Sequence, residues 1–66
     1  MIRKFLECRN YEERFEYFAH TFDFQWSDSE MNTLFDILGI EKPGDETTHE
    51  EKYVLLFHAL KEKKAA

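Results

Sequence analysis

Trp26-Ser27-Asp28-Ser29-Glu30-Met31-Asn32-Thr33-Leu34-Phe35-Asp36-Ile37-Leu38-Gly39-Ile40 holds a complete helix specification, with both ends written into the chain. Ser27 and Glu30 have the Ser-x-x-Glu spacing of a capping box, in which the hydroxyl accepts the third helical amide and the carboxylate reaches back to the amide of the cap. Trp26 before the cap and Met31 at the fourth helical position have the spacing of a hydrophobic staple. Met31, Leu34, Phe35 and Leu38 then recur at helical intervals and form one buried face. Gly39 suits the left-handed position that follows a helix, which lets Ile40 fold back on Phe35 in a Schellman ending. The spacing predicts a helix over 28–38.

Working toward the N-terminus, Phe22-Asp23-Phe24-Gln25-Trp26 alternates with period two, the strand signature, yet Phe22 and Trp26 also extend a preceding helical stripe. A lone five-residue strand has no partner in this chain, so the segment is read as a tight aromatic connection that plugs the core, with strand pairing across a dimer as the alternative. Before it, Tyr11, Phe15, Phe18, Ala19 and Phe22 form an amphipathic stripe opposite Glu12, Glu13, Glu16 and His20. Asn10, three positions before Glu13, supplies the N-cap. A short first helix is expected from Ile2, Phe5, Leu6 and Arg9, ending near Asn10.

On the other side, Glu41-Lys42-Pro43-Gly44-Asp45 is a turn, because proline sets φ at one central position and glycine permits positive φ at the next. Thr48 with Glu51, or Thr47 with Glu50, opens a last helix whose early carboxylates and late Lys61, Lys63 and Lys64 complement the helix dipole. The fold class is therefore all-α: a compact three-to-four-helix bundle in one domain over residues 1–66, with helices at about 2–9, 11–21, 28–38 and 48–63 and an aromatic connection at 22–26.

A chain of 66 residues buries only about 60% of its unfolded surface, so its core must be dense or shared. Seven Phe, three Tyr and Trp26 answer that need; each contributes about 1.5–3 kcal/mol when fully removed from water. Cys8 is the only cysteine, which rules out an intramolecular disulfide and favours a reducing compartment. No membrane-length apolar run occurs, and Met1-Ile2-Arg3-Lys4-Phe5-Leu6-Glu7 lacks the apolar region of a signal peptide, so a cytoplasmic protein is expected. The closing Lys63-Lys64-Ala65-Ala66 resembles a dilysine retrieval signal, but no membrane segment accompanies it.

The net charge of −5 is uneven: residues 10–51 sum to −10, while 1–9 carry +2 and 52–66 carry +3. Phosphates would be repelled by that acidic middle, so no direct nucleic-acid binding is expected. The segment 28–38 holds three carboxylates and no Lys or Arg, which makes it a poor recognition helix.

Catalytic and metal constellations are missing from the pattern. Cys8 and His20 stand twelve residues apart across a helix break, with no glycine loop to bind an oxyanion. His49 and His58, nine apart, point to opposite sides of one helix. The acidic pairs lack calcium-loop spacing, and both glycines are isolated, which excludes a phosphate cradle. Neither an enzyme nor a cofactor is expected.

The helical wheels leave apolar residues over. Tyr53, Leu56, Phe57 and Leu60 make one stripe of the last helix, with Val54 and Leu55 outside it. Tyr17 and Ile37 lie outside the stripes of their own helices. A wide core would absorb them, whereas a partner protein or a homodimer would use them as anchors. The candidate partner-binding residues are Tyr17, Ile37, Val54, Leu55 and His58, rimmed by carboxylates, in a small acidic interaction module acting as a regulator or inhibitor. The alternative is an acidic mimic of nucleic acid, led by Glu12, Glu13 and Glu16, that occupies a DNA- or RNA-binding protein.

Overall fold

Side-chain capping sets where the longer helices begin. The computed structural model describes residues 1–66 and contains helices α1 Ile2–Glu7 and α2 Tyr11–Ala19, a 3-10 turn Asp23–Gln25, and helices α3 Asp28–Leu38 and α4 His49–Ala65. There are no strands, so the architecture is all-α, and α3 has the bounds read from its capping box and glycine. The Glu30 amide donates to Ser27 Oγ at 3.1 Å and the Ser27 amide to Glu30 Oε1 at 2.9 Å. At its other end Gly39 has φ 70°, and the Ile40 and Gly39 amides donate back to Phe35 and Asp36 at 3.2 and 3.1 Å, the paired bonds of a Schellman ending. A Cβ at position 39 would meet nothing within 4 Å, so glycine is required there by conformation and not by space.

The other caps resolve alternatives. Thr48 rather than Thr47 opens α4, its Oγ1 accepting the Glu51 amide at 3.1 Å. Asn10 Oδ1 accepts the Glu13 amide at 2.9 Å, but the Glu13 carboxylate reaches one residue beyond the cap, to the amide of Arg9 at 2.9 Å. Three helix ends differ from expectation. The first helix stops at Glu7, not residue 9, because Cys8 turns extended, with its thiol donating to the Lys4 carbonyl at 3.4 Å. The second stops at Ala19, not residue 21: Thr21 donates both its amide and its hydroxyl to the Phe18 carbonyl, at 3.0 and 2.6 Å, a side-chain alternative to helix continuation. The last helix begins at His49 and runs to Ala65, two residues beyond the expected end.

Nine buried residues form one cluster: Phe5 from α1, Phe18 from α2, Trp26, the Met31–Leu34–Phe35–Leu38 face of α3, and Leu56 with Leu60 from α4. Helix α4 packs against both α2 and α3 and also touches the 3-10 turn. The accessible surface of 4596 Å² for an 8.0 kDa chain is close to the roughly 4450 Å² of a compact monomer of that mass. The apolar residues left outside are thus exposed by their position and not by loose packing.

Helix α4 closes on α2 through aromatic contacts. Phe15 and Phe57 rings lie 5.0 Å apart, and the ammonium groups of Lys63 and Lys64 sit 5.4 and 4.8 Å from the Tyr11 and Phe15 ring centroids. The terminal lysines therefore cover aromatic faces as well as complementing the helix dipole.

The 22–26 connection departs from expectation in which rings it buries. It is the tight, non-strand connection expected, a 3-10 turn, but Trp26 alone plugs the core, while Phe22 and Phe24 are 62% and 77% exposed. Phe22 does not extend the stripe of α2, because that helix has already ended. The Phe22 amide donates to Gln25 Oε1 at 2.7 Å and the Gln25 amide to the Phe22 carbonyl at 3.0 Å, which closes the turn on itself. Trp26 Nε1 donates to Thr21 Oγ1 at 2.8 Å, so the indole enters the core with its one polar atom satisfied.

Candidate functional site

The outer side of α4 is where unclaimed apolar surface meets a concavity. Val54 and Leu55 are each 45% exposed, while Leu56 beside them is wholly buried. Successive helical residues turn by about 100°, so two apolar neighbours followed by a core residue leave at least one of them on the solvent side. Val54 and Leu55 line a shallow hollow together with Thr47, Thr48, Glu50 and Glu51. Its ionisable groups are both acidic, and Thr48 with Glu51 belongs to the cap that fixes the start of the helix. The hollow therefore sits at a capped helix end, and its lining carries negative charge.

The residues singled out from the wheels divide between core and surface. Tyr17 and Ile37 are half-buried and packed against the core cluster, Tyr17 standing edge-on to Trp26 at 6.3 Å between ring centroids. Val54, Leu55 and His58 are exposed on α4, with the His58 ring edge-on to Phe57 at 6.0 Å. His58 does not line the hollow. Glu12, Glu13 and Glu16 are exposed on α2, and none takes part in an ion pair within 4.0 Å. Cys8 and His20 bond within their own helix ends, His20 Nδ1 lying 3.3 Å from the Glu16 carbonyl. No three His, Cys, Asp or Glu side chains gather into a set able to hold a metal ion.

Comparison with protein-family models, with curated proteins and with solved structures yields no match. The chemistry of the exposed residues alone bears on function.

Two features escaped the sequence. The first is the exposed pair Phe22 and Phe24, whose rings stack at 5.4 Å with 4° between their planes. Period-two spacing hinted that they share a side, but not that the side faces solvent. The second is His49, read from sequence only as lying opposite His58 on one helix. Its Nδ1 lies 2.8 Å from Asp28 Oδ1 and its Nε2 lies 2.8 Å from the Asp23 carbonyl. One imidazole thus ties the start of α4 to the start of α3 and to the 3-10 turn. The hydrogen bond that His49 donates to Asp28 raises the His49 pKa above its ordinary value, the Asp23 carbonyl adding in the same sense. Asp28 in turn is held below the usual carboxylate range by the His49 hydrogen bond and then by the Lys52 charge, whose Nζ is 4.0 Å from the same oxygen. No local pattern announces a pair 21 residues apart.

Proposed function

We propose that this protein is a small interaction module, a regulator or inhibitor of another protein, that binds through the Val54–Leu55 hollow of α4. The observation that carries the reading is the exposure of two adjacent branched side chains, 45% each, in a concavity on the outer side of a helix whose opposite side is core. Leaving such residues in water forgoes about 25 cal/mol for each Å² of apolar surface not buried, and a partner recovers it. The acidic lining of Glu50 and Glu51 favours a segment that presents an apolar anchor flanked by Lys or Arg. Tyr17 and Ile37, half-buried against the core, contribute support more than contact surface, and His58 borders the site on α4.

The test compares solution mass and partner capture for the wild type, Leu55→Asp and Val54→Asp. Both variants should keep wild-type helicity, since each residue is exposed, and should lose the bound protein or the dimer. Equal capture by all three chains, or collapse of the fold on Leu55→Asp, would sink the proposal. An apolar anchor also predicts binding that survives added salt, whereas mimicry of nucleic acid by Glu12, Glu13 and Glu16 predicts steep salt sensitivity.

A further inference from the structure

His49 faces two acceptors. Nδ1 meets a carboxylate oxygen of Asp28 and Nε2 meets the backbone carbonyl of Asp23, both at 2.8 Å. A neutral imidazole carries one N–H and offers a lone pair at its other nitrogen, so it can satisfy only one of these contacts; the imidazolium donates to both. From these two contacts we infer that His49 is a proton-operated latch on the aromatic turn: doubly protonated, it clamps Asp23–Gln25 onto α3 and α4, and loss of one proton releases the turn.

The geometry also says which contact is given up. A carboxylate holds an N–H more strongly than a neutral carbonyl does. The remaining proton therefore stays on Nδ1, toward Asp28, and the Nε2 lone pair is left against the Asp23 carbonyl oxygen. That repulsion falls on the turn that carries the stacked Phe22 and Phe24. The Asp23 carbonyl keeps the Trp26 amide as a donor at 3.2 Å, so the tether at the buried end persists while the exposed end loosens.

The charged groups around the latch are few. Asp28 faces it from α3, Lys52 from its own helix through the shared Asp28 oxygen, and Asp23 from the turn through its carbonyl; neither α1 nor α2 places an ionisable partner on it. Asp28 and the carbonyl favour the imidazolium, while the Lys52 ammonium approaches the same Asp28 oxygen at 4.0 Å. The raised pKa of His49 agrees with that preference. An ordinary histidine changes charge between about pH 5 and 8, and the upward displacement moves the release above the ordinary midpoint.

The test is an NMR titration of the intact chain from about pH 5 to about 9, following the ring nitrogens of all three histidines and the amides of Phe22–Trp26. His49 should titrate above 6.5, and the Gln25 amide should shift and exchange faster with the same midpoint while the Trp26 amide, still bonded to the Asp23 carbonyl, stays protected. His49→Gln should remove that midpoint from the Gln25 amide while Trp26 stays buried, and the His20→Gln, His58→Gln double variant should leave it unchanged. A His49 midpoint at or below 6.5, a Gln25 amide that does not follow it, or a transition that survives His49→Gln would each overturn the latch. Should His49→Gln prove unfolded, the wild-type comparison of ring and amide midpoints decides by itself.

Discussion

Tyr53 of α4 caps the end of α2 from outside that helix: its hydroxyl lies 3.0 Å from the Phe18 carbonyl and 2.8 Å from the Thr21 carbonyl, while its ring stacks on Phe18 at 4.5 Å. The last carbonyls of a helix have no intrahelical donor, and here a phenol 35 residues further along the chain supplies one. The hydroxyl has a single proton to share between the two oxygens. Thr21 completes the junction by donating to the Phe18 carbonyl and accepting from the Trp26 indole. Helix α2, the aromatic turn and α4 are thereby joined through polar atoms as well as through the core.

Replacing Tyr53 by Phe tests that junction. The ring stack remains, and the Phe18 carbonyl keeps the amide and hydroxyl of Thr21, so the loss falls on the Thr21 carbonyl. The expected cost is about 1–2 kcal/mol, the range for removing one partner of a half-buried hydrogen bond. Urea unfolding should show a lower midpoint with an unchanged slope; an unchanged midpoint would mean the phenol is dispensable.

The unequal placement of the aromatics at 22–26 predicts unequal costs. Phe22→Ser and Phe24→Ser remove exposed rings and should each change stability by no more than about 0.5 kcal/mol. Trp26→Ala empties a buried site and breaks the bond to Thr21, which should cost about 3–5 kcal/mol. Thermal or urea denaturation followed by circular dichroism distinguishes these, and a Phe24 variant as damaging as the Trp26 variant would contradict the placement of the turn.

The Asp28–His49 pair predicts a stability window in pH. A histidine whose pKa is raised on folding contributes fully below its unfolded value of 6.5 and loses that contribution as pH rises through the higher folded value. A carboxylate whose pKa is lowered contributes fully above its unfolded value of 3.8 and loses it as pH falls through the lower folded value. The Tm difference between the wild type and His49→Gln should therefore be largest between pH 3.8 and 6.5 and shrink on either side. A difference that does not vary with pH would assign His49 a packing role alone.

Much of this fold is legible along the chain because its helices announce themselves locally. Ser27 with Glu30 and Gly39 with Ile40 bracket α3 through groups only a few residues apart, so one stretch of sequence determined its bounds, its buried face and the all-α class. Thr48 and Asn10 did the same for the starts of α4 and α2. Only the tertiary structure decided the remainder. A wheel shows Tyr17, Ile37, Val54 and Leu55 to be off-stripe alike, yet Tyr17 and Ile37 are half-buried against the core while Val54 and Leu55 stay in solvent. Which of them meets a neighbour depends on how the helices cross, and that is a long-range matter. The same holds for the outward turn of Phe22 and Phe24 and for the pairing of His49 with Asp28 and Asp23. The His49 contacts join residues 21 and 26 positions apart, where neither spacing nor propensity carries a signal, and the period-two spacing of Phe22 and Phe24 does not say which way their shared side faces.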